Sequence, residues 1–228
     1  MTAYFSDASL KFLRGLALHN NKPWFNEHKP QYEAHVRQPF LRLITDLQPD
    51  LAAVSQHFRA DPRTVGGSMF RIYRDARFSH DKSPYKSWQG ARLFHERRRE
   101  VAAPSFYIHL QPGASFVGAG LWHPEPKTQL RIRHFILDNP ASWKATAHAP
   151  KLRKRFDFGQ ENKLVRPPRG FPADFEFIDD LKHRNWVFVR PLDDATMTRP
   201  KLRETVAADL VTLGPFVDYL CAALDLEF

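Results

Sequence analysis

The seventeen residues from Phe70 to Lys86, FRIYRDARFSHDKSPYK, gather five cations (Arg71, Arg74, Arg77, Lys82, Lys86), two carboxylates (Asp75, Asp81) and two tyrosines (Tyr73, Tyr85). Guanidinium groups grip phosphate or carboxylate through paired hydrogen bonds, so several converging arginines make an anion site. Three arginines spaced by three, with lysines returning after a Ser83-Pro84 turn, predict a ligand-binding set of Arg71, Tyr73, Arg74, Asp75, Arg77, Asp81, Lys82, Tyr85 and Lys86. The arginines would neutralise charge, the lysines position the ligand, Tyr73 hydrogen-bond it, and the aspartates orient the guanidiniums. The competing reading is internal: Arg74 paired with Asp75 or Asp81 would serve only to fix a long loop. If the chain is an enzyme, Asp75 or Asp81 is the general base of this stretch, with His28 and His109 as outsiders.

Asp75, His80 and Asp81 carry oxygen and nitrogen donors that suit a hard cation, but five neighbouring positive charges oppose one, so no metal is expected. His28, His109 and His123 lack zinc-motif spacing, and the sequence holds no nucleophile elbow, phosphate loop or dinucleotide fingerprint. No cofactor is expected.

The formal net charge is +9, and it is concentrated. Residues 69–100 hold nine Lys/Arg against four Asp/Glu, and residues 151–170 hold seven against two, a surplus of five in each. Such fields favour a small anionic ligand or nucleic acid. The alternatives to the ligand pocket are therefore a nucleic-acid-binding module using segments 69–100 and 151–170, or a structural or interaction domain with no ligand. The single cysteine, Cys221, rules out an intrachain disulfide and points to a reducing, cytoplasmic setting. No leader and no membrane-length apolar run is read, so no membrane partner is expected. Cys221 lies among Leu220, Ala222, Ala223 and Leu224, which predicts a buried, inert thiol.

The elements that must position these groups follow from periodicity. Helical spacing runs over 6–18, capped by Ser6 or Asp7, then from near Pro23 through Trp24, Phe25, His28 and Tyr32, with a kink or stop at Pro39. A third helical stretch carries Phe40, Leu43, Ile44, Leu47 and Leu51 and extends to about His57. The helix bearing Phe25 and Tyr32 is core, or it walls a pocket above the central stretch. Alternation then predicts strands at 70–73, 88–95, 106–110, 115–122 and 186–190, with a hairpin turn at 111–114. Gly118 and Gly120 share a strand face and would let a backbone or ligand approach closely. Helices are expected from Pro126 to about Ile136, over 141–149, over 173–182, and finally from a Thr198 cap through Leu224, bent at Gly214-Pro215. The order predicts a single α+β domain over 1–228, with an antiparallel sheet of about five strands covered by N-terminal and C-terminal helices.

Four stretches, LKFLRGLALHNNKPWFNEHKPQYEAHVRQPF, FRIYRDARFSHDKSPYK, FYIHLQPGASFVGAGLWHPEP and RPPRGFP, resemble the bacterial and fungal family catalogued as domain of unknown function 2461. The resemblance covers nearly the whole chain. It implies one intact domain of cytoplasmic type and no activity, so function has to be argued from chemistry.

Overall fold

A computed structural model describes residues 2–75, 77 and 80–228. Ala76, Phe78 and Ser79 of the central stretch lie outside the described residues. Helix α1 (Asp7–Leu18) starts where Ser6 is extended and its N–H donates to Ser9 Oγ at 3.0 Å, and it buries Leu10, Phe12, Leu13 and Leu16. Helix α2 (Lys22–Tyr32) is capped by Asn21, which accepts the Trp24 N–H, and Pro23 sits in its first turn. The chain then widens into a π turn (Glu33–Arg37) before α3 (Gln38–Val54). Pro39 is the cause: it has no N–H to offer the turn behind it, and the Gln38 N–H reaches five residues back to Glu33. The proline therefore neither ends nor simply kinks the helix. Helix α3 buries Phe40, Leu43, Ile44, Leu47 and Leu51 and stops at Val54 rather than His57.

The sheet has six antiparallel strands among the described residues: β1 (Phe58–Arg59), β2 (Gln89–His95), β3 (Ser105–Leu110), β4 (Ser115–Leu121), β5 (Asp157–Phe158) and β6 (Trp186–Leu192), in the order β1-β2-β3-β4-β6-β5. The β3–β4 hairpin turns through Gln111–Ala114, where Gly113 takes φ +73°. The expected strand at 70–73 is not one. That segment lies along β2 and the 84–86 chain through two isolated antiparallel bridges, Met69 to Ala91 and Tyr73 to Tyr85. The partner changes within the segment: Phe70 donates to Gly90 of β2, whereas Ile72 accepts from Lys86, so no continuous ladder forms. Ile72 is buried as expected, whereas Phe70 is half-buried.

The pleat gives the sheet two unlike faces. Ala91, Leu93, Phe106, Ile108, Val117, Ala119 and Phe188 share one face and are buried. Onto it pack the N-terminal helices, α4 (Pro126–Asp138), α5 (Pro140–Ala147), α6 (Pro150–Arg153) and the long α9 (Leu202–Ala222). Asp209 of α9 is fully buried and is held by Arg155 (2.6 Å) and by Arg190 of β6 (3.0 Å from Nε). Gly118 and Gly120 lie on the other face, and what approaches them is the neighbouring strand. A Cβ at Gly118 would meet the Phe188 carbonyl, and one at Gly120, where φ is +136°, would meet the Trp186 carbonyl at 1.9 Å.

Three C-terminal expectations change. Of 173–182 only the single turn α7 (Ile178–Leu181) is helical; Phe175 and Phe177, two apart, enter the core from the irregular chain before it. Thr198 does not start the last helix. It ends the short α8 (Asp194–Met197), its hydroxyl donating to the Asp194 carbonyl, and α9 begins after Pro200. Helix α9 runs on through Pro215 to Ala222. It is also long and apolar enough to cross a membrane by length and composition, and its apolar residues Leu210, Leu213, Phe216, Val217 and Leu220 are buried in the core.

Two measurements check this packing. Gly120→Ala should cost about 2–4 kcal/mol, from a strained backbone and a displaced strand, read as a lower urea midpoint; an unchanged midpoint contradicts the close β4–β6 approach. Cys221 is buried and its thiol is pushed up to about 12, by burial first and by Asp218 second. Native protein should therefore react with a thiol reagent only at the rate of unfolding, and fast labelling would show the helix seated differently.

Candidate functional site

The central stretch folds as a loop that mostly satisfies itself. Arg74 pairs with Asp81, and Arg77 closes a bidentate pair on Asp75 (2.9 and 2.7 Å). Asp81 also accepts the Ser83 N–H (2.9 Å) and hydroxyl (2.5 Å). The Ser83 hydroxyl, then the Ser83 N–H and Arg74, hold its carboxyl down to about 2. Lys86 donates to the carbonyls of Arg71 (2.6 Å) and Tyr73 (3.0 Å), and burial, then Arg71, lower its pKa. Lys82 reaches the Arg77 carbonyl at 3.4 Å.

Two contacts dock this loop on the helices. Asn20, between α1 and α2, donates to the Tyr85 carbonyl and accepts the Tyr85 N–H (2.9 and 3.1 Å). Tyr85 is buried and stacks on Phe25 with centroids 4.1 Å apart. The docked loop separates two grooves. One, of about 440 Å³, is lined by Asn20, Arg74, Asp81, Ser83, Tyr85 and Lys86, with Trp88 at its end. The other, of about 420 Å³, lies between the helices and the 63–73 chain. Its helical wall comes at every fourth residue, Phe25, Lys29, Glu33, Arg37 and Leu41, with Tyr32 beside them, and Arg63, Phe70, Arg71, Ile72 and Tyr73 face them across it.

The predicted site residues are thus divided. Arg71 and Tyr73 line the second groove; Arg74, Asp81, Tyr85 and Lys86 line the first; Asp75, Arg77 and Lys82 line neither. The expected wall from the helix bearing Phe25 and Tyr32 is present, while Trp24 and His28 stack on each other at 4.1 Å outside it. Lys29, Arg37 and Arg63 were not singled out by sequence reasoning. Lys29 and Arg37 are distant along the chain from the arginine series, whereas Arg63 lies eight residues before Arg71; the one signal on the helix was that Lys29 shares a face with Phe25.

The second groove is lined by four cations, Lys29, Arg37, Arg63 and Arg71, against one carboxylate, Glu33, a lining charge of +3. Arg37 is engaged by Glu33 (3.0 Å) and Thr64 (2.9 Å), and Arg63 by Asp61. Among the described residues, the side chains of Lys29 and Arg71 make no hydrogen bond or ion pair. The second basic segment is partly internal in the same way. Arg155 holds Asp209, and Arg153 donates to the Ala147 carbonyl and lies about 5 Å from the Phe158 and Phe188 rings. Among the described residues no group of three or more His, Cys, Asp or Glu side chains gathers as metal ligands.

The family model described as "Conserved hypothetical protein (DUF2461)" matches residues 8–219. Searches of curated proteins and of solved structures return no match.

The loop's internal pairing predicts a titration. Asp81 should protonate with a midpoint of about 2 in a carboxyl NMR titration, so its contribution is present above the ordinary carboxylate range and is lost as pH falls towards that midpoint. Ser83→Ala should move the midpoint upward. A parent midpoint near the ordinary aspartate value contradicts the pairing.

Proposed function

The chain belongs to the DUF2461 family, whose description names no activity, and we propose from its geometry that it binds a small anionic ligand in the groove between α2, the π turn and the 63–73 chain. The observation that carries this is Arg71: an exposed guanidinium without a partner among the described residues, at a groove whose lining charge is positive. A bound phosphate or carboxylate would complete its hydrogen bonding, with Lys29 as a second point charge. The lining also includes Phe25, Phe70, Ile72 and the 57%-exposed Tyr73, so the body of the ligand is apolar or aromatic. Under this reading Arg71 and Tyr73 contact the ligand. Arg74, Asp75, Arg77, Asp81, Lys82, Tyr85 and Lys86 hold the wall in place.

A charge-assisted hydrogen bond is worth about 1.5–3 kcal/mol. Arg71→Ala should therefore weaken an anionic ligand by about tenfold to a hundredfold while leaving the melting temperature nearly unchanged. Thermal unfolding of the parent and of Arg71→Ala, each with and without inorganic phosphate and nucleotides, reads both effects. A parent that no anion stabilises, with an Arg71→Ala variant that melts much earlier, would overturn the binding site and leave a structural loop.

A further inference from the structure

The second face of the sheet meets the grooves only at its β2 edge, where Trp88 and Lys86 also line the first and Phe70 the second. By register it carries Gly90, Arg92 and Phe94 on β2, Tyr107 and His109 on β3, Phe116, Gly118 and Gly120 on β4, and Val187 and Val189 on β6. Phe70, whose N–H donates to the Gly90 carbonyl, and Trp88 extend it at the β2 edge. The rings form a connected band across β3 and β4 and the chain at the β2 edge: Trp88 to His109 at 4.7 Å, His109 to Phe116 at 4.6 Å, Tyr107 to Phe116 at 5.5 Å and Phe70 to Tyr107 at 5.8 Å. Residues of the opposite parity are buried apart from the half-buried Arg190, whereas on this face Phe94 and His109 are buried and Phe70, Trp88, Tyr107, Phe116, Val187 and Val189 are half-buried. The helix contacts fall on the opposite parity: Tyr32 on Gln89, Asp209 on Arg190, Arg133 over Trp186, Arg153 over Phe188.

The charge on this face is one-sided. Its positions on β2, β3, β4 and β6 include Arg92 and no carboxylate; Asp157 of β5 lies at the far edge. The Arg98 guanidinium lies 3.3 Å from the Phe94 ring centre, and the Lys86 ammonium 5.4 Å from that of Trp88. Arg92 donates to the Ala103 carbonyl, but its Nε is buried with no acceptor. Rings interleaved with cations on an open sheet complement a strand whose bases stack and whose backbone is anionic.

We propose that this face binds single-stranded nucleic acid, with Trp88, Tyr107 and Phe116 stacking bases and Arg92 and Arg98 neutralising phosphates. This places nucleic acid on the sheet rather than on the 151–170 segment, and it is independent of the groove.

The test is fluorescence anisotropy of the full chain with labelled oligouridylate and oligothymidylate of about twelve nucleotides at low salt. Saturable binding that weakens with salt is expected, as is a loss of about tenfold or more for Phe116→Leu and for Trp88→Leu separately, with circular dichroism confirming the fold. Leucine keeps apolar volume while removing the ring plane. Arg92→Gln and Arg98→Gln remove no ring, and each should lower the salt slope by about one. Arg71→Ala should leave oligonucleotide affinity unchanged, which separates this face from the groove. Three results would overturn the proposal. One is no binding at low salt. Another is binding lost in Lys151→Gln/Lys154→Gln but kept in the ring variants. The third is sedimentation showing a dimer that Phe116→Leu dissociates, which makes the face an interface between copies.

Discussion

Alternation along four strands is the constraint on which the rest of the molecule depends. A strand can turn only every second residue inward, so the apolar set Ala91, Leu93, Phe106, Ile108, Val117, Ala119 and Phe188 commits one side of the sheet to the core. Helices from both ends of the chain then share that side. The N-terminal helices meet it at the β2 edge through Tyr32 and Gln89, and α9 meets it at β6 through Asp209 and Arg190. A fully buried carboxylate is tolerated there because two guanidiniums face it. With one removed the other still faces it; removing both would strand charge in the interior, at a cost of about 3–5 kcal/mol.

The central loop is built the opposite way, from exposed charges that neutralise one another. Exposed ion pairs such as Arg77 with Asp75 add little stability individually. Their effect is on shape. With Arg74, Arg77 and Lys86 engaged inside the loop, Tyr85 is free to enter the core against Phe25, and Asn20 fixes its backbone. The loop becomes a partition with a groove on either side, and Arg71 lies beyond the last internal bond.

The sequence made the long elements legible and the site only partly so. Helices α1, α3, α4 and α9 and strands β2, β3, β4 and β6 have enough residues for a period of 3.6 or 2 to register. Strands β1 and β5 have two residues each, which no periodicity can reveal. At 70–73 the alternation of Phe70 and Ile72 was real, but the segment changes partner from β2 at Phe70 to Lys86 at Ile72, a fact about the partner that a local pattern does not contain. Charge composition located the cation-rich stretch that lies between the two grooves. It could not tell Arg71 from Arg74 and Arg77, because the distinction lies in which carboxylate each one meets after folding. Lys29 and Arg37 join Arg71 across long sequence separations, through packing alone.

The π turn has a geometric role at the groove. In an α-helix each residue advances about 100°, so side chains four apart drift by about 40° and, over the four steps from Phe25 to Leu41, by about 160°. They would wind off the groove before reaching its far end. The widened turn at Glu33–Arg37 takes up one extra residue and returns about 100° of that rotation. The phase slip keeps Phe25, Lys29, Glu33, Arg37 and Leu41 along one wall. The length of the groove is thus set by a single inserted residue, whose position Pro39 dictates; a chain one residue shorter there would keep its helices and point Arg37 elsewhere.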